Sequence, residues 1–330
     1  MSGAAHPPGA AVGVQSLAQL LAQQPPTPPP ALLEPGLLPA QGILFVGGEP
    51  KVGKSLLVAN LALALAAGLD AAGFAVPAPR RVLVCQFELP LAQLVSRLVA
   101  MRQRLGPAAD QNLCVDTQAA GHLLSAPEGL GHFLAAAEAA AAEVVVLDPL
   151  YSTHDQDEND TRAMAALCQS LLHLRDAAGA ALIVVHHVRK SIGREEIGSA
   201  FRGSSALHAV GDSYLLVTRP APPVPTLELR FQFRYAAPQP PRLLALDPDT
   251  LWFAPAGHAT PPSATPRRKV DAADVRQAVE DLGRQARYSE LRQHLMRRAA
   301  CSKRTAQLAI TAACEHGVVV PDNHHYRLPA

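Results

Sequence analysis

Eight consecutive residues constrain this chain more than any other feature. Gly48-Glu49-Pro50-Lys51-Val52-Gly53-Lys54-Ser55 satisfies G-x-x-x-x-G-K-[ST] at every fixed position. The flanks are those the motif requires: a strand-forming run, Ile43–Val46, before it, and a long helix-forming run after it. The chemistry explains the pattern. Glycines let backbone N–H groups turn inward around phosphate oxygens, and the N-terminus of the following helix adds a favourable dipole. Lys54 brings a flexible point charge to the β- and γ-phosphates, and the Ser55 hydroxyl is placed to ligate a divalent cation. The expected phosphate cradle is therefore Gly48, Glu49, Pro50, Lys51, Val52, Gly53, Lys54 and Ser55, with Leu56 opening the helix. The apolar run Leu56 to Leu69 contains Asn60 and starts inside this motif, so it reads as a buried helix and not a membrane span.

Around the motif, strand-like and helix-like segments alternate, the signature of an α/β domain with a mainly parallel sheet. Strands are expected at Ile43–Val46, Arg81–Gln86, Val144–Leu147, Ala181–Val185 and Ser213–Thr218. Two more, Thr226–Tyr235 and Arg242–Leu246, follow without helices and suggest an antiparallel edge. The 30 prolines in 330 residues are too many for element interiors, and they cluster. Residues 1–35 read as a disordered Pro/Ala-rich arm, with Ser16 to Gln23 able to form a short helix. Residues 36–254 read as the nucleotide-binding domain, 255–268 as a Pro-rich linker within a break that opens near Ala254, and 269–330 as a separate small domain.

Two carboxylates can complete a phosphate site. Asp148 ends the apolar strand VVVLD, the form expected of a residue that holds Mg2+. Locally it could equally cap a strand. Glu88, in VLVCQFELP, falls just past the second strand, where a general base would polarise an attacking water. On local sequence it could also be a solvent-facing glutamate. The acidic stretch His154 to Asp160 lacks the glycine and terminal glutamate of a calcium loop and reads as a loop with an N-cap before a helix starting near Thr161.

The segments GEPKVGKS, CQFELP, VVVLDPL, LIVVHHVRK and FRGSSALHAVGDSYLLV, in this order and spacing, resemble the RecA-type P-loop ATPases of the DnaB and plasmid RepA helicase group. The resemblance runs from about Gly36 to Ala254. It implies ATP and Mg2+ as ligands, Lys54 and Glu88 as catalytic residues with Glu88 the base, and Ser55 and Asp148 at the metal. It also implies that His187, in preference to His186, senses the γ-phosphate. The polar stretch Val188 to Gly203 would face the channel of a ring and touch single-stranded DNA through Arg189, Lys190 and Arg194, although Glu195 and Glu196 dilute its charge and no aromatic residue is present to stack on bases. Where the helicases carry K-x-R, this chain has Gln232 and Arg234. Arg234 is then the first candidate for an arginine finger reaching a neighbouring subunit, with Arg202 second. A strand can also expose arginines for solubility alone. A finger acting between subunits implies a homo-oligomer, the hexameric ring being the form seen in the resembling group.

The last 60 residues read as helix (Val270–Gly283), helix (Tyr288–Ala299), helix (Ser302–His316) and then a hairpin, GVVVPDNHHYRL, which looks like a winged helix-turn-helix. Lys303 and Arg304 open the candidate recognition helix, where side chains can reach DNA phosphates or base edges. Docking of a protein partner is the other use of such a module. A net charge of +1 neither demands nor excludes nucleic acid. Five cysteines without a C-x-x-C motif fit a reducing cytoplasm, and no secretion signal is evident. Together these features point to an ATP-driven DNA motor of replication. A DNA-bound regulatory or repair ATPase without unwinding, and a nucleotide-gated interaction scaffold, remain open.

Overall fold

The computed structural model describes residues 15–22, 30–158, 160–188, 197, 201, 205–220, 226–258, 270–299, 303–322 and 325–329. They fall in two compact units, Met1–Thr260 and Pro261–Ala330.

The first unit is organised by one nine-stranded sheet. Its strands are β1 (Ile43–Gly48), β2 (Val82–Gln86), β3 (Leu113–Asp116), β4 (Val144–Asp148), β5 (Ala181–His187), β6 (Ser213–Thr218), β7 (Thr226–Phe233), β8 (Arg242–Asp247) and β9 (Trp252–His258), in the order β3-β2-β4-β5-β1-β6-β7-β8-β9. The first six are mutually parallel. The last three continue from β6 as antiparallel neighbours and form one edge. The helices are α1 (Leu17–Ala22), α2 (Lys54–Ala67), α3 (Leu91–Leu105), α4 (Pro127–Ala139), α5 (Thr161–Ala178) and α6 (Ser205–Val210).

The sequence pattern explains the layering. Side chains alternate across a strand, so β1 sends Leu44 and Val46 into the core shared with α2, and Ile43 and Phe45 into the core shared with α4 and α5. Both faces are covered, which is why the central strands are continuous apolar runs. Helix α2 is buried almost all round, from Leu57 through Ala66, because it lies between the sheet and the turn into β9. Its one fully buried polar residue, Asn60, donates from Nδ2 to the Leu251 carbonyl (3.1 Å) and accepts at Oδ1 from the Phe253 N–H (2.7 Å).

Several expectations need correction. The expected break from Ala254 and linker from 255 start too early, because β9 runs to His258 as the outermost strand. Its Pro255 is compatible with an edge position, where a missing donor is tolerated. The arm does not extend to residue 35: Leu32 and Leu33 are buried in the core, and Glu34 pairs with Ala75. Strand β2 starts at Val82, one residue later than expected, and β3, α3 and α4 had no counterpart in the sequence reading.

The second unit contains α7 (Ala272–Asp281), β10 (Gln285–Arg287), α8 (Tyr288–Arg298), α9 (Lys303–Glu315), β11 (Val320–Asp322) and β12 (His325–Arg327). Asp271 and Asp274 form a capping box at the start of α7. Val275, Leu291, Leu295, Ile310 and Ala313 fill the core of the unit. Beyond the expected strand pair, β10 adds a third strand, giving the order β10-β12-β11.

Candidate functional site

The site forms at the C-terminal ends of β1, β5, β4 and β2, which lie in adjacent parallel register. Gly48, the last residue of β1, runs so close to β6 that a Cβ would stand 2.5 Å from the Val217 carbonyl oxygen. Only glycine fits there. The loop then turns through Lys51, whose φ is 61°, and Gly53, whose φ is 117°. Gly53 precedes α2, whose N-terminus has neither a side-chain cap nor an acidic residue in its first turn. The free N–H groups and positive dipole end of α2 therefore face the loop. A cleft of about 390 Å³ lies beside this loop, lined by Glu49, Pro50, Lys51, Val52, Thr218 and Arg219.

Lys54 is 4% exposed, and its ammonium donates to the carbonyls of Gly48 (2.7 Å) and Glu49 (2.9 Å). It also lies 3.0 Å from His187 Nδ1. Burial lowers its pKa to about 8, although the negative charges of Asp148 and Glu88 pull the other way. The Ser55 hydroxyl donates to Asp148 Oδ1 (3.0 Å). Asp148 is buried, and desolvation raises its carboxyl pKa to about 6, the Ser55 hydrogen bond acting in the opposite sense. A hydroxyl and a buried carboxylate in contact, beside a buried ammonium, suit a hard divalent cation carrying phosphates. The residues present thus fit a magnesium nucleotide.

Strand β5 lies between β1 and β4, and His187 pairs with Gly48 at the end of the register. As neighbours on a strand, His187 and His186 point to opposite faces. His186 is 5% exposed and stacks on Phe201, with ring centroids 6.3 Å apart. Burial, followed by the neighbouring His187, lowers the His186 pKa to about 4, and its Nδ1 has no hydrogen-bond partner among the described residues. Burial also lowers the pKa of His187, reinforced by Lys54 and opposed by Glu88. Glu88 lies beyond the end of β2 and accepts a hydrogen bond at Oε1 from the Tyr151 hydroxyl, in a pair that faces solvent. The backbone N–H of Phe87 donates to the Asp148 carbonyl (3.0 Å), tying the two carboxylate-bearing segments together. Lys54, Ser55, Asp148, His187 and Glu88 are thus gathered in one place.

The remaining candidates lie elsewhere. Arg234 follows β7, and its guanidinium meets Asp212 Oδ1 (3.2 Å) and the Ala209 carbonyl (2.9 Å). Asp212 accepts at Oδ2 from the N–H of Ile43, the first residue of β1. Arg234 therefore sits at the opposite end of the sheet from Gly48, about 17 Å away at the rise of an extended strand. Gln232 contacts His208 (3.3 Å). Lys303 and Arg304 are exposed at the start of α9 in the second unit. Arg189, Lys190, Arg194 and Arg202 lie outside the described residues. No group of metal ligands other than the Ser55–Asp148 pair presents itself among the described residues, and Asp160 caps α5 by accepting from the N–H of Arg162 (2.8 Å). No described helix is long and apolar enough to cross a membrane.

Sequence reasoning missed Tyr151 and the cleft residues Thr218 and Arg219. An aromatic with a polar tip three residues after Asp148 was the available signal for the first.

A family model described as an AAA domain matches residues 12–192. None of the curated proteins matches. Among solved structures, a helicase ATPase domain shares 13% identity at a TM-score of 0.51, covering 65% of this chain and 84% of that one. A DnaB-like replicative helicase, described with its interactions with primase, shares 12% identity at a TM-score of 0.53 and covers 72% of this chain. This chain spans 64% of that helicase chain. At such identities the likeness is one of fold: a RecA-like core with a mainly parallel sheet and an antiparallel edge.

Proposed function

As a member of the AAA-domain family built on a RecA-type P-loop core, the chain is an ATP-hydrolysing enzyme, and we propose that it uses hydrolysis to drive movement along DNA. One observation carries this reading. His187 stands between the phosphate loop and Asp148, 3.0 Å from Lys54, and the chain leaves it directly into the basic stretch that holds Arg189, Lys190 and Arg194. A residue that feels the terminal phosphate is thus covalently continuous with residues suited to contact nucleic-acid phosphates.

In this mechanism Glu88 accepts the proton of a water as its oxygen bonds to the γ-phosphorus, and the bond to the β–γ bridging oxygen breaks to release ADP. Lys54 exchanges its carbonyl partners for phosphate oxygens and balances the developing charge. Ser55 and Asp148 hold the magnesium ion, which supplies charge neutralisation at the phosphates. Arg234 acts on the site of a neighbouring copy, because within its own chain it lies at the wrong end of the sheet, and this makes a homo-oligomeric ring the working form. The second unit, 269–330, is read as a winged helix whose Lys303 and Arg304 meet DNA. The reading places the protein in the cytoplasm. Leu308, exposed on the same helix as Lys303 and Arg304, favours a second reading in which this unit docks a protein.

The test is the ATPase rate of the intact chain with and without single-stranded DNA, beside Lys54→Ala and Glu88→Gln. A several-fold stimulation that both substitutions abolish supports the motor. Hydrolysis indifferent to DNA removes the motor and favours the scaffold.

A further inference from the structure

Tyr151 lies on a 3-10 turn, Leu150–Thr153, directly behind Asp148 and Pro149. The turn is pinned at both ends. Leu150 is fully buried, Thr153 Oγ1 donates to the Leu150 carbonyl (2.7 Å), and the Leu124 N–H donates to the Thr153 carbonyl (2.6 Å). Between these anchors the Tyr151 side chain stands exposed over the C-terminal edge of the sheet. Its hydroxyl donates to Glu88 Oε1. Its ring lies against the His187 imidazole, centroids 5.2 Å apart and planes tilted by 38°. His187 in turn lies 3.0 Å from the Lys54 ammonium. One side chain on a pinned turn thus touches both the carboxylate beyond β2 and the imidazole at the end of β5.

We propose that Tyr151 is a positioning residue for ATP hydrolysis, its hydroxyl fixing the Glu88 carboxylate and its ring holding that carboxylate in register with His187. The need for such a tether is physical. Glu88 carries its carboxylate on a flexible stem at the solvent edge of the site, and a general base works only when held within hydrogen-bond reach of the water it polarises. A misplacement of about 1 Å can cost a hundredfold in rate. The phenol remains a donor at working pH, because its hydrogen bond to the Glu88 carboxylate pushes its pKa up. The arrangement also couples the two groups: a shift of His187 presses on the ring that carries the hydroxyl.

The inference rests on Glu88 being the base, and the experiment separates the two claims. The intact chain, Tyr151→Phe, Tyr151→Leu and Glu88→Gln are compared for kcat, KM for ATP, affinity for a fluorescent ATP analogue and unfolding midpoint. Phe keeps the ring and loses the hydroxyl. The proposal expects Tyr151→Phe to lower kcat by about tenfold, with KM, affinity and midpoint unchanged. Tyr151→Leu should lower kcat further and raise KM as well, because the ring no longer supports His187. A Tyr151→Phe enzyme with parental kcat, while Glu88→Gln is inactive, overturns the positioning role and leaves the base assignment standing. Full activity in Glu88→Gln removes the base assignment and the tyrosine's role with it.

Discussion

Lys54 illustrates how a single side chain is made responsive by where the fold puts it. A lysine normally stays charged to pH 10.5, but burial brings this one to about 8. The charged form is disfavoured in the free site and favoured once phosphate oxygens surround it. Nucleotide binding therefore takes up a proton at any pH above about 8, and affinity must fall there. The fall should approach tenfold per pH unit until the lysine of the bound state also begins to lose its proton. Titrating a fluorescent ATP analogue from about pH 7 to about pH 9.5 should show a flat Kd up to about 8 and a rise beyond it. Lys54→Gln, with nothing to titrate, should bind weakly and without this rise. A parental Kd independent of pH across the window would mean that the ammonium is already neutralised by Asp148 and Glu88 before nucleotide arrives. The sign for stability is opposite. The lysine charge costs the nucleotide-free fold below about 8, and that cost is relieved as pH rises toward 10.5, since the unfolded chain holds the proton longer. At this scale the sequence was informative where the chemistry is local. A glycine-rich loop ending in Lys54 and Ser55 announces itself in eight residues. The Tyr151 contact with Glu88 spans 63 positions and has no local pattern that could reveal it.

Among the elements, legibility depended on burial. The central strands β1, β4, β5 and β6 are apolar on both faces, and the reading found each of them. Strand β3 is only half buried, and α3 buries Leu94 and Met101 while leaving Leu91, Val95 and Val99 in solvent, so neither matched the pattern of a core element. Strand β9 carried Pro255 and alanines and passed for linker, because composition does not distinguish an edge strand, which can spare a donor, from a tether. Asn60 is the other side of this lesson. In sequence it was only the polar interruption that argued against a membrane span; in the fold it satisfies the backbone at both Leu251 and Phe253, joining the nucleotide-binding helix to the last strand. Asn60→Leu leaves that carbonyl and that N–H buried without partners, each costing about 1–3 kcal/mol. The variant should lose about 2–4 kcal/mol of stability, read as a lower urea midpoint at unchanged slope. A midpoint equal to the parent's would show that water reaches the β9 turn and that the asparagine is not a structural tie.

For the whole molecule, the decisive geometry is the separation between Arg234 and its own phosphate loop. The antiparallel pairing of β7 with β6 sets it: Glu228 lies opposite Thr218 at the nucleotide end, and Phe233 lies opposite Ser213 at the other. Arg234 is held there by Asp212, the residue that also receives the first N–H of β1. No rotamer carries a guanidinium across the length of a strand. If Arg234 contributes to hydrolysis, it does so in another copy's site. That division of labour can be tested by complementation. Lys54→Ala subunits keep the arginine and lose the loop lysine, while Arg234→Ala subunits keep the lysine and lose the arginine. Each alone should be nearly inactive. Mixed in equal amounts and allowed to reassemble, half of the loops are intact and half of those face an intact arginine, so about a quarter of the parental rate should return if sites act independently. Mixed oligomers verified by native mass spectrometry that remain inactive would count against an inter-subunit Arg234. In that event Arg234 would serve only to lock β7 onto Asp212, and its loss would appear in the unfolding midpoint of the Arg234→Ala subunit alone. Recovery of activity would instead make a neighbouring copy part of every site, so that a site next to an Arg234→Ala subunit would fail even with its own loop, carboxylates and histidine intact.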